Sequence, residues 1–138
     1  MGSQTSSAKT EKPEITGAFC SFSVKGIAEA KQFYGDTLGL DVEERSEGLA
    51  LKIGGESVFI YPKTDHTPAT FTVLNLMVKD IGKTVNTLKQ LGIRFESYDQ
   101  GGMTTDEDNI AWGKRDGRGP NIAWFKDPAG NFISIIEE

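Results

Sequence analysis

From Phe19 the chain alternates in character. Phe19, Ser21 and Ser23 fall on one side of an extended segment and Cys20, Phe22 and Val24 on the other, because successive strand side chains point to opposite faces. Lys25-Gly26 then leads into a helical spacing, in which Ile27, Ala30, Phe33, Tyr34 and Leu38 share one face and Gly39 supplies a stop. The pattern predicts a strand followed by a helix over Ile27–Leu38. Three short strands follow, at Val42–Arg45, Leu49–Ile53 and Ser57–Tyr61, separated by the turn signals Ser46-Glu47-Gly48 and Gly54-Gly55-Glu56. The first half therefore reads βαβββ.

The second half repeats this order. Phe19 to Ile27 lines up with Val73 to Ile81, and the helical residues Ile81, Val85, Leu88 and Leu91 precede Gly92 as Leu38 precedes Gly39. Self-similarity at half the chain length marks two copies of one unit that cannot bury its apolar face alone. A strand at Arg94–Tyr98 and a long polar loop over 99–120 lead to a closing hairpin. In it Asp127-Pro128-Ala129-Gly130-Asn131 forms a tight turn between Trp124-Phe125-Lys126 and Phe132–Ile136. The expected fold class is α+β: two βαβββ modules, about 15–62 and about 70–138, forming a curved mixed sheet with a concave cavity and helices on the outer face. Residues 1–14, rich in Ser, Thr, Lys and Glu without periodicity, read as a disordered tail ahead of one domain over 15–138.

Alternation sorts the strand residues into two sets. Cys20, Phe22, Val24, Val58, Ile60, Leu74, Leu76, Val78, Ile133 and Ile135 should face the helices, where burial would leave the Cys20 thiol inert. Phe19, Ser21, Ser23, Phe59, Tyr61, Val73, Asn75, Met77, Phe132, Ser134 and Ile136 should face the cavity. The first set is uniformly apolar, whereas the second mixes aromatics with hydroxyls and an amide, as small-molecule pockets do.

Composition narrows the possible partners. With 138 residues, 37% of them hydrophobic, and no apolar run long enough to span a bilayer, the chain has the makings of one domain and not of a membrane protein. A net charge of −5 argues against nucleic acid and anionic membrane surfaces, which need clustered Lys and Arg. One cysteine cannot form an internal disulfide, and the N-terminus has no apolar signal region, which together point to the cytoplasm. One histidine and one cysteine leave little material for a metal cage.

Val24-Lys25-Gly26-Ile27, Phe33-Tyr34, Leu38-Gly39-Leu40, Val78-Lys79-Asp80-Ile81 and Asp127-Pro128-Ala129-Gly130-Asn131 occur in this order over the two modules. The chain resembles the vicinal oxygen chelate superfamily, which includes glyoxalase I, bleomycin-resistance proteins and extradiol dioxygenases. The resemblance covers nearly everything from Phe19 onward. It implies a paired module whose inner sheet face, in the enzymes, holds a divalent metal through four side chains. Those ligand positions fall here on Phe19, Phe59, Val73 and Ser134, and a register shift of two residues brings only Ser21, Asn75, Ser57, Tyr61 or Ile136. Phe and Val have no donor atom, and a neutral serine hydroxyl cannot hold a transition metal against water. The expectation is a protein without a metal or other cofactor.

The function expected is metal-independent binding of a small, partly aromatic ligand in the concave cavity. The candidate ligand-binding residues are Phe19, Ser21, Phe59, Tyr61, Val73, Asn75, Trp124 and Ser134, with Trp124 brought beside Ser134 by hairpin pairing. The alternative is a glyoxalase-like lyase or isomerase acting on a small carbonyl compound or thiol conjugate. Its acid or base would be His66 or Tyr61, with Lys63 the nearest cation. His66 is the only side chain expected to titrate near neutrality unaided. Exposed edges of two half-sheets favour a homodimer. The 99–120 loop, with Met103, Ile110 and Trp112 among glycines and charges, could fold over the pocket, meet a second subunit, or form a strand of its own. Asp106-Glu107-Asp108 reads as a solvated acidic run, and Gly101-Gly102 and Gly117-Arg118-Gly119 lack the strand-to-helix setting of a phosphate loop.

Overall fold

The computed structural model describes residues 11–138; most of the expected N-terminal tail, residues 1–10, lies outside them, and 11–19 have no regular structure and are exposed. The first module comprises β1 (Cys20–Val24), α1 (Ile27–Lys31), β2 (Asp41–Arg45), β3 (Gly48–Ile53) and β4 (Glu56–Pro62). The second comprises β5 (Thr72–Val78), α2 (Ile81–Gln90), the hairpin β6 (Asp99–Gln100) and β7 (Met103–Thr104), then β8 (Ala111–Trp112), α3 (Gly113–Asp116), β9 (Asn121–Lys126) and β10 (Phe132–Glu137). The sheet orders are β1-β4-β3-β2 and β5-β10-β9-β8, so both modules share one topology. The first and last strands of each run parallel, and the other pairs are antiparallel. The fold is α+β with two βαβββ modules and mixed sheets, as the pattern predicts. No helix among the described residues is long and apolar enough to cross a membrane.

Local chemistry explains the helices. Asp80 caps α2 by accepting from the Lys83 N–H at 3.1 Å, and Ile81, Val85 and Leu88 bury one stripe. The predicted Ile27–Leu38 helix changes character midway, because Gln32–Thr37 is π-helical and the Leu38 N–H reaches back to Phe33 O at 2.9 Å. The extra residue in that turn sends both Phe33 and Tyr34 inward. Gly39, at φ +73°, ends it.

One hydrophobic core serves both modules. Phe22, Val24, Ile60, Leu74, Leu76, Ile133 and Ile135 are buried on the helix-facing side, and each fully buried aliphatic contributes about 1.5–3 kcal/mol. Phe33 meets Phe125 of the other module at 6.1 Å between ring centroids. Polar ties accompany the packing: Tyr34 Oη donates to Asp127 Oδ2 at 2.7 Å, and Asn131 Nδ2 donates to the Ser23 carbonyl at 2.9 Å.

Two expectations need correction. Cys20 is exposed, not packed under the helix, because it opens the edge strand β1 beyond the reach of α1. Arg94–Tyr98 is not a strand; only Phe95 bridges to Phe125. The long polar loop expected over 99–120 holds β6, β7, β8 and α3, and of the places left open for it the strand of its own is taken at Ala111–Trp112.

Candidate functional site

The closing hairpin pairs as its turn chemistry dictates. Ser134 stands opposite Trp124, and Gly130 at φ +86° turns the chain so tightly that a Cβ there would lie 2.9 Å from Pro68. Ser134 also stands beside Asn75 across the parallel pair, and its hydroxyl donates to Asn75 Oδ1. In the first module the equivalent neighbours are Ser21 and Phe59, and Phe59 stacks on Tyr61 at 6.4 Å with an interplanar angle of 16°.

A bulge in β5 alters one assignment. Phe132 pairs with Thr72 but Ile133 pairs with Leu74, so Val73 is skipped. Val73, expected on the cavity side, packs against the core, and Thr72 takes its cavity-side place, where its hydroxyl accepts from Trp124 Nε1 at 3.2 Å. Period-two counting cannot see an inserted residue.

Two clefts open on this face of the second sheet. The larger, about 510 Å³, lies between the Gly101–Thr104 end of the β6–β7 hairpin, the α3 segment and the β8–β9 floor, with Trp112, Ile122, Pro120, Asp116 and Arg118 in its walls. The smaller, about 350 Å³, is walled by Phe71, Thr72, Tyr98, Gln100 and Phe132. Met103 and Trp124 border both. Trp124 is half-buried and fixed on two sides, by Thr72 and by an edge-on contact with Tyr98 at 5.3 Å. Burial, with the nearby charge of Glu96, raises the Tyr98 hydroxyl pKa and keeps it a neutral donor.

The hairpin is anchored at both ends. Tyr98 N–H donates to Thr105 Oγ1 at 2.9 Å and Thr105 N–H to Tyr98 O at 2.9 Å, while Arg118 Nη1 donates to Gly102 O at the tip. Trp112, whose place was open in the sequence, forms β8 and donates its indole N–H to Asp106 Oδ2 at 2.7 Å, with the Arg115 guanidinium 4.5 Å above its ring. Burial pushes the Asp106 carboxyl up, but hydrogen bonds from the Ile110 N–H, the Trp112 indole and the Asp108 N–H together bring it below the ordinary carboxylate value. The acidic run at 106–108 is thus a turn that organises β8.

Of the candidate ligand-binding residues, only Trp124 lines the clefts, joined in the smaller by Phe132 from the wider cavity-facing set. Asn75 and Ser134 adjoin Trp124 on the same sheet, whereas Ser21, Phe59 and Tyr61 gather on the first sheet and Phe19 precedes β1, 71% exposed. His66 lies outside the clefts. Its Nε2 donates to Ala129 O at 3.0 Å, which leaves Nδ1 to accept from Ser23 Oγ at 2.7 Å, and the ring ties the inter-module linker to both modules. Lys63 pairs with Asp65 on the surface. Sequence reasoning missed Phe71, Thr72, Tyr98 and Arg118, and named Met103 only within a loop that could cover the pocket; the length of the 99–120 segment and its apolar residues were the available signal.

The family model described as the Glyoxalase/Bleomycin resistance protein/Dioxygenase superfamily matches residues 18–135. The chain belongs to this superfamily. No curated protein matches it. Among solved structures, a glyoxalase family protein from Bacillus anthracis superposes with a TM-score of 0.63 at 19% identity, over 92% of this chain and 99% of that one. The fosfomycin resistance protein FosX from Listeria monocytogenes gives 0.64 at 12% identity, covering 91% and 95%. A lactoylglutathione lyase from Agrobacterium tumefaciens gives 0.60 at 18%, covering 91% and 96%. At these identities the likeness is one of fold.

A superfamily metal would sit on the inner sheet face, so the residues there can be tested for fit. The paired positions hold Ser21 with Phe59 and Asn75 with Ser134, and the last two satisfy each other. Two hydroxyls, an amide and a phenyl ring supply neither an anionic oxygen nor an imidazole nitrogen. These residues do not fit a divalent transition metal.

Proposed function

We propose that the protein binds a small, partly aromatic molecule without a metal, holding it against Trp124 on the face of the second sheet turned away from the helices. The observation that carries this reading is the placement of Trp124. Its indole is fixed by Thr72 and Tyr98, borders both clefts, and stands beside Asn75 and Ser134 where a superfamily enzyme would need metal ligands. An aromatic ring stacked on a fixed indole gains about 0.5–1.5 kcal/mol beyond its area burial, with little ordering cost left to offset it. The lyase or isomerase alternative has less support. His66 has both ring nitrogens engaged, Tyr61 lies on the other sheet, and polarising a carbonyl without a metal needs preorganised donors aimed at it.

The reading extends to assembly. Phe71 and Met77 are 68% and 63% exposed on or beside the second sheet, and the β5 edge is unpaired among the described residues, features that suit a two-fold homodimer.

The test combines elemental analysis with fluorescence titration of small aromatic compounds. The expected result is less than a tenth of a metal ion per chain, and quenching that a Trp124→Phe protein of equal stability mostly loses. About one Zn, Ni, Fe or Mn per chain, removable by chelator with a large loss of stability, would refute the metal-free reading. Unchanged ligand affinity in the Trp124→Phe protein would refute the site.

A further inference from the structure

The two clefts differ in charge, and the difference points to the shape of the ligand. The smaller is walled by Phe71, Tyr98 and Phe132 with only neutral polar groups, Thr70, Thr72 and Gln100, among them. The larger has indole and aliphatic walls but also carries Arg118 and Asp116. Since Met103 and Trp124 border both, the clefts are two ends of one groove, apolar and aromatic at one end and charged at the other.

Arg118 is suited to meet a ligand. One corner of its guanidinium is held by the Gly102 carbonyl at the hairpin tip, and among the described residues no carboxylate pairs with it. A guanidinium fixed at one corner has its remaining N–H groups oriented, and their fork geometry matches a carboxylate. Asp116 sets the limit. It lines the same cleft, so a second negative charge on a ligand held by Arg118 would meet a carboxylate and no further cation among the lining residues, which disfavours a phosphate monoester relative to a singly charged carboxylate.

We propose that the ligand is an elongated aromatic carboxylate, its ring system against Trp124 and its carboxylate on Arg118, with Asp116 selecting against doubly charged head groups. This rests on the aromatic-binding reading above and adds the anionic end. The groove is open to solvent, so the ionic contribution falls with salt while the stacking contribution does not.

Calorimetric titration of the full chain with naphthoate, naphthylmethanol and naphthyl phosphate separates the two layers. At low ionic strength, naphthoate should bind about fivefold tighter than naphthylmethanol, the size expected of a charged hydrogen bond in a half-open site. Arg118→Gln, which keeps a donor for Gly102 O, should bring the two ligands within about twofold by weakening naphthoate alone. Asp116→Asn should tighten naphthoate and admit naphthyl phosphate. Equal affinity of naphthoate and naphthylmethanol for the parent, or equal weakening of both by Arg118→Gln, would overturn the anionic end and leave the aromatic site standing. Failure of both ligands to bind the parent would overturn the aromatic reading and this inference with it.

Discussion

Removing one oxygen from Tyr34 tests how the two modules are joined. Tyr34 is fully buried, and its hydroxyl donates to Asp127 Oδ2, a carboxylate oxygen that also accepts from Asn131 Nδ2 at 3.1 Å. The other oxygen accepts the N–H groups of Ala129 at 3.0 Å and Asn131 at 2.8 Å, so among the described residues Asp127 is held by four donors and no cation. Tyr34→Phe takes away one donor and opens a void smaller than a water molecule. Hydrogen bonds to charged groups contribute about 1.5–3 kcal/mol, and three donors remain, so a loss of about 2 kcal/mol follows, roughly 4–10 °C in Tm for a chain of this size. A pH signature distinguishes the phenol from a packing defect. Burial, then the Asp127 charge and the hydrogen bond to it, raises the Tyr34 pKa far above its ordinary 10.0. The folded state therefore keeps a proton that the unfolded chain releases above about pH 10, and stability falls as pH rises through that range, by up to about 1.4 kcal/mol per pH unit from this group. Urea titrations at pH 8, 10 and 11 should show this slope in the parent and a shallower one in Tyr34→Phe. A variant within about 0.5 kcal/mol of the parent at pH 8, with the alkaline slope intact, would refute the argument.

Light scattering at micromolar concentration should give twice the 15.0 kDa chain mass, and a monomer at all concentrations would count against the pairing of exposed faces. Cys20 should react with a thiol reagent in the folded protein at nearly the rate of the unfolded chain; protection of a hundredfold would mean that something covers β1. Gly113→Ala should cost about 1–3 kcal/mol and distort the larger cleft, because the added Cβ would lie 2.4 Å from the Pro120 carbonyl; a denaturation midpoint equal to the parent's would contradict that close approach.

What the sequence made legible follows from how local each signal is. The β9–β10 hairpin and the pairing of Ser134 with Trp124 could be read because turn chemistry and alternation sit within a few residues of each other. The burial of Phe22, Ile60, Leu76 and Ile135 followed from period two, and the two-module order from the repeat. Val73 was misplaced because a bulge depends on the partner strand. Arg94–Tyr98 has strand-like residues, yet its ladder is limited to Phe95 because the chain leaves β9 and β8 takes the adjoining position. The clefts were the least legible. They depend on where a hairpin tip with two glycines is set down, and Arg118, sixteen residues from Gly102, decides that through a single backbone carbonyl.

The Asp127–Asn131 turn also bears on how the chain matures during synthesis. Its contacts reach back to Tyr34 and Ser23 across 93 and 108 residues, so the nascent first half emerges from the ribosome with the Tyr34 hydroxyl and the Ser23 carbonyl still unsatisfied. Loop closure over that span has to precede the reward of those bonds, which places the locking step after residues 127–131 have left the ribosome. Until then Phe33 and Tyr34, turned inward by the π-helical segment, lack the Phe125 ring and the Asp127 carboxylate they are shaped to meet. A ribosome stalled at the inter-module linker would therefore present a sticky, protease-sensitive half, and the finished protein would become resistant in one late step.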